Sequence, residues 1–257
     1  MQSSTQRMEG GRRTRGDVRT TQPLVSVVIV VRDRRNDIEN ALASVFAQSK
    51  EMCELLVIDG VSTDGTLDVI EKHSDSIDYW MSEPDNGIYD AMNKAIKLAR
   101  GKYVYFLGSD DVLTVDLKSL APVLTDPNTI YYGDVRVPSG DIHPFSGPLN
   151  AWKMAKSSIS QQSIFYPLGV VQAEGFATKY KIAADYVFNL RCYSDKRLRF
   201  QYIPYVIAVY SESGISGQAA DPVFERDRIE LIRKYLPAYV YLFHSSKQRL
   251  KRLIKRA

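Results

Sequence analysis

The sequence is informative first through what it has little of. Only two of its 257 residues are cysteine, Cys53 and Cys192. Cys53 opens an apolar stretch and Cys192 falls in a helical pattern, so both read as buried free thiols, and nothing argues for an oxidising compartment. The three histidines, His73, His143 and His244, show no metal-ligand spacing and are assigned no role. No apolar run approaches the roughly 20 residues needed to cross a bilayer. The first 20 residues lack the apolar core of a secretory signal. No G-x-G-x-x-G follows the first predicted strand, which argues against a dinucleotide-dependent dehydrogenase.

Charge is present but unevenly placed. Residues 1–20 carry +3 and residues 244–257 carry +6 of a total of +4, which leaves −5 for the 223 residues between them. The chain is therefore an acidic body with two basic ends. No nucleic-acid partner is expected, and the ends suit an anionic surface. Residues 1–22 read as a disordered basic arm. At the other end Leu242, Phe243, Leu250, Leu253, Ile254 and Ala257 share one helical face, with Lys247, Arg249, Lys251, Arg252, Lys255 and Arg256 around it. That pattern predicts, over 236–257, a basic amphipathic tail lying in a membrane interface.

The stretch Ser82–Asp111 organises the body. Ile88, Met92, Ala95, Ile96 and Ala99 recur at helical spacing, and Gly101 follows where a helix C-terminus tolerates positive φ. Tyr103–Leu107 then reads as a strand buried on both faces, ending in Gly108-Ser109-Asp110-Asp111. Upstream, Leu24–Val31 and Glu54–Ile58 are continuous buried strands, each followed by a polar loop and a helical pattern, and Ile77–Met81 is a third. Asp37 or Asn36 is placed to cap the first helix, and Asp64 and Asp90 to cap later helix starts. The order β-α-β-α-β-α-β predicts an α/β, doubly wound, mainly parallel sheet with right-handed crossovers. Such sheets bind ligands at the carboxyl ends of their strands, where Asp33, Asp59, Asp110 and Asp111 collect. Beyond Asp111 a helix is expected over Leu113–Leu124, strands over Thr129–Val137, Ser160–Tyr166 and Phe200–Tyr210, and helices over Tyr180–Arg191 and Pro222–Tyr235. Asp141–Pro148 reads as turns and Ser213–Gly217 as a flexible loop.

Several stretches resemble the family-2 glycosyltransferases in order and spacing: Val25–Val31, Val57–Thr66, Asp85–Ala95 and Gly101–Asp111. Gln162–Tyr166 and Lys181–Tyr186 resemble a bacterial subgroup that builds surface polysaccharides and glycolipids. The resemblance implies a GT-A fold, with a smaller mixed region on the acceptor side and a C-terminal basic amphipathic helix. A single domain is then expected at 23–235, divided into a nucleotide-binding half, 23–112, and an acceptor half, 113–235. The implied activity is an inverting transfer of a sugar from a UDP-, GDP- or dTDP-linked donor to a hydroxyl of a glycan, lipid-linked or glycolipid acceptor. The implied location is cytoplasmic, on the inner face of the cell membrane.

Within the resemblance Ser109-Asp110-Asp111 matches the DXD-type signature. The resemblance implies Asp111 as the direct ligand of Mg²⁺ or Mn²⁺ and Asp110 as a metal and donor residue nearer the ribose. Hard oxygen ligands suit these ions. Asp59 matches a position near the nucleobase or ribose. Val30, Arg32 and Asp33 join it on the donor side, as do Asp85, Gly87, Asp90, Asn93, Lys94 and Gln162. Asp185 matches the general base. The competing reading of Asp185 is a helix cap, and that of Asn93 and Lys94 surface positions. The chain departs from the family at Gly60, where many relatives carry a second acid, at Arg32-Asp33, and at Gln161, where the subgroup has histidine. Two alternatives stand beside this reading: a nucleotidyltransferase on a similar sheet, and a non-catalytic sugar-nucleotide-binding scaffold at the membrane.

Overall fold

The computed structural model describes residues 7–17, 19–142, 147–211 and 220–254, with side chains through Lys247. Residues 1–6 of the arm, the loop expected at Ser213–Gly217, part of the turn region at 141–148 and the outer side chains of the tail stripe lie outside the described residues.

Four parallel strands form the centre: β2 (Val25–Val31), β3 (Cys53–Asp59), β4 (Tyr79–Ser82) and β5 (Tyr103–Gly108). Each is rich in β-branched or aromatic residues and buried on both faces, as a parallel sheet between helical layers requires. Their spatial order is β4-β3-β2-β5. The chain steps outward from β2 to β4 and then returns to pair β5 on the other side of β2. The resulting crevice lies at the carboxyl ends of β2 and β5, where Val30 is paired with Gly108.

Alternate strand residues feed two cores. Val27, Ile29, Leu55 and Val57 pack with Ile38, Leu42 and Val45 of α1 (Ile38–Phe46). Val28, Leu56, Ile58 and Phe106 pack with Met92, Ala95 and Ile96 of α3 (Ile88–Leu98). The short α2 (Thr66–Lys72) joins β3 to β4. Asp37 occupies the cap position of α1 without a side-chain cap bond. Both cysteines are buried, and burial pushes their thiols up to about 11 and about 12.

The second half continues the sheet with mixed polarity. Strand β8 (Ile164–Pro167) pairs antiparallel with β5, and β7 (Thr129–Arg136) pairs antiparallel with β8 and parallel with β9 (Arg199–Val209). The helix expected over Leu113–Leu124 shrinks to α4 (Leu117–Leu120). Val112 and Leu113 are drawn instead into β6 (Val112–Leu113), paired with Val209 and Ala208. The Asp116 side chain caps α4 by accepting from Lys118 N–H at 2.9 Å, and Pro122 ends it. Two short helices, α5 (Ala151–Lys156) and α6 (Leu168–Glu174), have too little periodicity to be read from sequence. Helices α7 (Ala184–Ser194), α8 (Pro222–Tyr235) and α9 (Ala238–Ile254) complete the chain. No helix among the described residues is long and apolar enough to cross a membrane.

The N-terminal arm corrects the expectation of disorder. Strand β1 (Met8–Gly10) pairs antiparallel with β4, and a 3₁₀ turn follows at Arg12–Arg15. Three of the arginines are held by buried acids, Asp78 just before β4 and Glu54 of β3. Asp78 accepts from Arg12 at 2.6 Å, from Arg19 at 2.9 Å and from Leu55 N–H at 2.8 Å. Arg13 is ion-paired with Glu54, a fully buried carboxylate that also accepts from Ser26 and from Arg100 N–H. Composition suited these arginines to an anionic surface; buried partners 41 to 66 residues away hold them instead. Removing one member of such a pair strands the other in a low-dielectric interior. Arg13→Ala is therefore expected to lower stability by about 3 kcal/mol in urea unfolding, with partial recovery in the Arg13→Ala/Glu54→Gln double variant.

Candidate active site

A cleft of about 580 Å³ opens at the switch between β2 and β5. One wall comes from the strand ends and their loops: Val30, Arg32, Asp85, Gly87, Ser109 and Asp110. The other comes from the second half, with Ser157–Gln162, Lys181, Ala183, Asp185 and Tyr210. The antiparallel β5–β8 pairing swings these segments over the strand ends.

Asp111 closes the end of β5. It is 1% exposed, its Oδ1 accepts from Ser211 N–H at 2.7 Å, and its Oδ2 is buried without a partner. A Cβ at residue 108 would collide with that oxygen, so only glycine leaves the space in front of it open. Burial pushes the Asp111 carboxyl up to about 7, and the neighbouring Asp110 adds to the rise. The Ser211 N–H and Gln162 pull the other way. Among the described residues no three potential His, Cys, Asp or Glu ligands cluster. An unpartnered carboxylate oxygen beside a glycine and a second carboxylate nevertheless fits a hard divalent ion whose remaining ligands are diphosphate and water.

Asp185 sits in the first turn of α7, partly exposed to the cleft. Burial raises the proton affinity of its carboxyl, while hydrogen bonds from Tyr89 and from the Tyr186 backbone oppose the rise. The Tyr89 hydroxyl lies 2.7 Å from Asp185 Oδ1 and 2.6 Å from the Ile182 carbonyl. It has one proton for two acceptors. The carbonyl can only accept, so the carboxylate competes for that proton when ionised and donates to the phenol oxygen when protonated. Tyr89 is thus a link from α3 to α7 that sequence reasoning missed. Its one signal was its place beside Asp90 in a matched motif.

Other residues named from sequence are not at the cleft. Asp59 is fully buried and accepts from Ser62 N–H at 3.1 Å and Ser82 hydroxyl at 2.6 Å, which secures the loop after β3. Asp33 adopts φ 53° and accepts from Thr63 N–H at 2.8 Å, tying the β2 and β3 loops. Asn93 clamps Phe176 by two bonds, 2.9 Å to its carbonyl and 2.8 Å from its N–H. Lys94 is held by Pro84 carbonyl at 2.7 Å and Glu83 at 2.9 Å. Asp90 accepts from Asn86 N–H at 3.0 Å, and Asp64 receives N–H groups of Thr66 and Arg35 at 2.9 and 3.0 Å. Neither is the cap residue, which is Gly65 in α2 and Gly87 in α3, but both sets of bonds lie at the helix entry.

Gly60 now has a reason. A Cβ there would fall 2.5 Å from Asp85 Oδ2, so the missing second acid leaves room for Asp85. Asp85 in turn accepts from Gly87 N–H at 2.8 Å. Gln162 lines the cleft and accepts from Ser160 hydroxyl at 2.9 Å, while Gln161 reaches Met92 Sδ at 3.6 Å. Lys181, Arg34 and the Ser211 N–H at Asp111 were not singled out from sequence.

Comparison with solved structures shows a shared fold. The fold matches Staphylococcus aureus TarS 1-349 in complex with UDP-GlcNAc at a TM-score of 0.63 and 20% identity, over 81% of this chain and 65% of that one. It also matches the mannosyltransferase PcManGT from Pyrobaculum calidifontis in complex with GDP-Man and Mn²⁺ at a TM-score of 0.57 and 20% identity, over 74% of this chain and 57% of that one. The chain thus spans less than two thirds of either structure. Residues 26–187, more than half of the chain, match the model of glycosyl transferase family 2, and the chain belongs to that family. A relative from Mycobacterium bovis (strain BCG / Pasteur 1173P2), the PGL/p-HBAD biosynthesis glycosyltransferase, is 32% identical over 213 residues, covering 79% of this chain and 82% of the relative. Nothing in these relatives favours a nucleotidyltransferase.

The electrostatics of Asp111 give a test with a definite sign. A carboxyl whose folded pKa lies above its unfolded value favours the folded state in its protonated form. That contribution is complete near pH 4 and is lost as pH rises to about 7. Metal-free protein should therefore lose stability across this window, and Asp111→Asn should flatten the slope in unfolding titrations at stepped pH.

Proposed function

We propose that this chain is an inverting glycosyltransferase that moves a sugar from a nucleotide-linked donor to a hydroxyl of a lipid-linked or glycan acceptor. The observation that carries the reading is that Asp110, at the end of β5, and Asp185, at the start of α7, line one cleft. Val30, Arg32, Asp85 and Gly87 wall the nucleotide side, and Ser109 and Gln162 flank the diphosphate. Bound Mg²⁺ or Mn²⁺, held by Asp111 with Asp110, would supply Lewis-acid stabilisation of the charge on the departing diphosphate.

Asp185 serves as the general base. As the acceptor oxygen attacks the anomeric carbon, the bond to the diphosphate breaks and its electron pair leaves with the nucleoside diphosphate. The hydroxyl proton passes to an Asp185 oxygen. A raised proton affinity suits this role near neutral pH, and Tyr89 holds the carboxylate in place and keeps its affinity from rising further. The crystallised relatives' UDP-GlcNAc and GDP-Man support a UDP- or GDP-linked donor, with dTDP as the third option. The basic tail supports a peripheral, cytoplasmic-face location, where a lipid-linked acceptor is presented.

Thermal-shift screening against nucleotide sugars tests the donor reading: a stabilisation that requires Mn²⁺ or Mg²⁺ and vanishes in Asp111→Ala is expected, and no response to any donor would refute it. Asp185→Asn should retain donor affinity while kcat falls by about 10² to 10⁴. Tyr89→Phe removes a bond that lowers the Asp185 proton affinity. The acid limb of its kcat/KM profile should therefore move to higher pH, with donor KM nearly unchanged.

A further inference from the structure

Helix α9 presents two apolar faces. Val240 is fully buried against the body. A second face, Tyr239, Leu242 and Phe243 at positions i, i+3 and i+4, stands in solvent at 56%, 63% and 52% exposure. Trp152 of α5, itself 44% exposed, joins it from another part of the chain. Its ring centroid lies 5.6 Å from that of Tyr239 and 5.2 Å from that of Phe243. Large exposed aromatics gathered from two elements form a contiguous patch of the kind that marks an interaction surface. Sequence periodicity revealed the α9 stripe but not Trp152.

We propose that Trp152, Tyr239, Leu242 and Phe243 form an aromatic anchor that seats the protein on an anionic lipid bilayer, with α9 in the plane of the interface. This rests on the peripheral attachment proposed above and adds its contact residues and orientation. Charge decides between occupants. Residues 244–257 hold six Lys and Arg and no acid. The same segment of a second copy carries no acid to pair with this run, whereas anionic headgroups attract it. Trp and Tyr also suit the headgroup level, where a ring is buried and its polar edge stays hydrated.

The anchor lies close to the chemistry. Five residues on from Trp152, roughly 8 Å at about 1.5 Å per residue, Ser157 begins the cleft wall that runs to Gln162. Arg228 of α8 holds the end of α5 by donating to the carbonyls of Ala155 at 3.2 Å and Lys156 at 3.0 Å. A bilayer under Trp152 would therefore sit beside the acceptor side of the cleft.

The test uses the full chain, without nucleotide, mixed with vesicles of phosphatidylcholine alone or with 30% phosphatidylglycerol, a composition on the order of an anionic cell membrane. The chain has two tryptophans, and Trp80 is buried, so an emission blue-shift and quenching by brominated lipid report Trp152. Binding to the anionic vesicles with both signals is expected, weakened about tenfold or more in Tyr239→Ser/Phe243→Ser. Binding without a Trp152 signal, at undiminished affinity in the double variant, would overturn the anchor and leave the tail's attachment standing. No binding to either vesicle would overturn both. A dimer in sedimentation that the double variant abolishes, with no vesicle effect, would make the patch a self-contact and also overturn the proposal. The wild-type Trp signal decides even where a variant folds poorly, and unchanged donor affinity in the double variant separates these outcomes from the glycosyltransferase reading.

Discussion

A carboxylate held out of water without a partner for one of its oxygens is the constraint around which this molecule is arranged. Asp111 lies at the end of the central strand β5, covered by protein on nearly every side. Burying an ion uncompensated is costly, so the group either keeps its proton or awaits a positive charge. Every neighbour respects that choice. Gly108 leaves Oδ2 unobstructed, Ser211 satisfies only Oδ1, and the strand end opens into the cleft through Asp110.

The two halves of the chain meet there for a topological reason. The switch between β2 and β5 opens a crevice, and the antiparallel addition of β8 beside β5 brings the second half across it. The mixed continuation places α7, with Asp185 in its first turn, opposite the strand ends. Tyr89 then bridges the halves with a single hydroxyl, so the position and proton affinity of Asp185 depend on α3, a helix of the first half of the chain.

The two basic ends show how far charge can be read from a linear sequence. Both contain clustered arginine or lysine, and both suggested an anionic surface. At the N-terminus Arg12, Arg13 and Arg19 are taken up by Asp78, just before β4, and Glu54 of β3, buried acids that no local pattern connects to them. Counting charges gives the net field of a segment but not its partners, because buried partners are chosen by topology. The C-terminal run has no acid of its own, and its helix carries a solvent-facing apolar stripe beside the docked Val240.

Local periodicity, turn chemistry and motif order were enough to determine the doubly wound sheet, the helix α3 and the strand end at Gly108-Ser109-Asp110-Asp111. These are properties of neighbours a few residues apart, and spacings of 2.0 and 3.6 survive in one dimension. Only the tertiary structure shows the internal partners of Asp59, Asn93 and Lys94: Ser82, Phe176 and Pro84. It also decided that Gly60 makes room for Asp85 and that Ser211 reaches Asp111 from 100 residues away. Which acid is satisfied internally and which is left waiting depends on contacts between distant segments, and those exist only once the chain has folded.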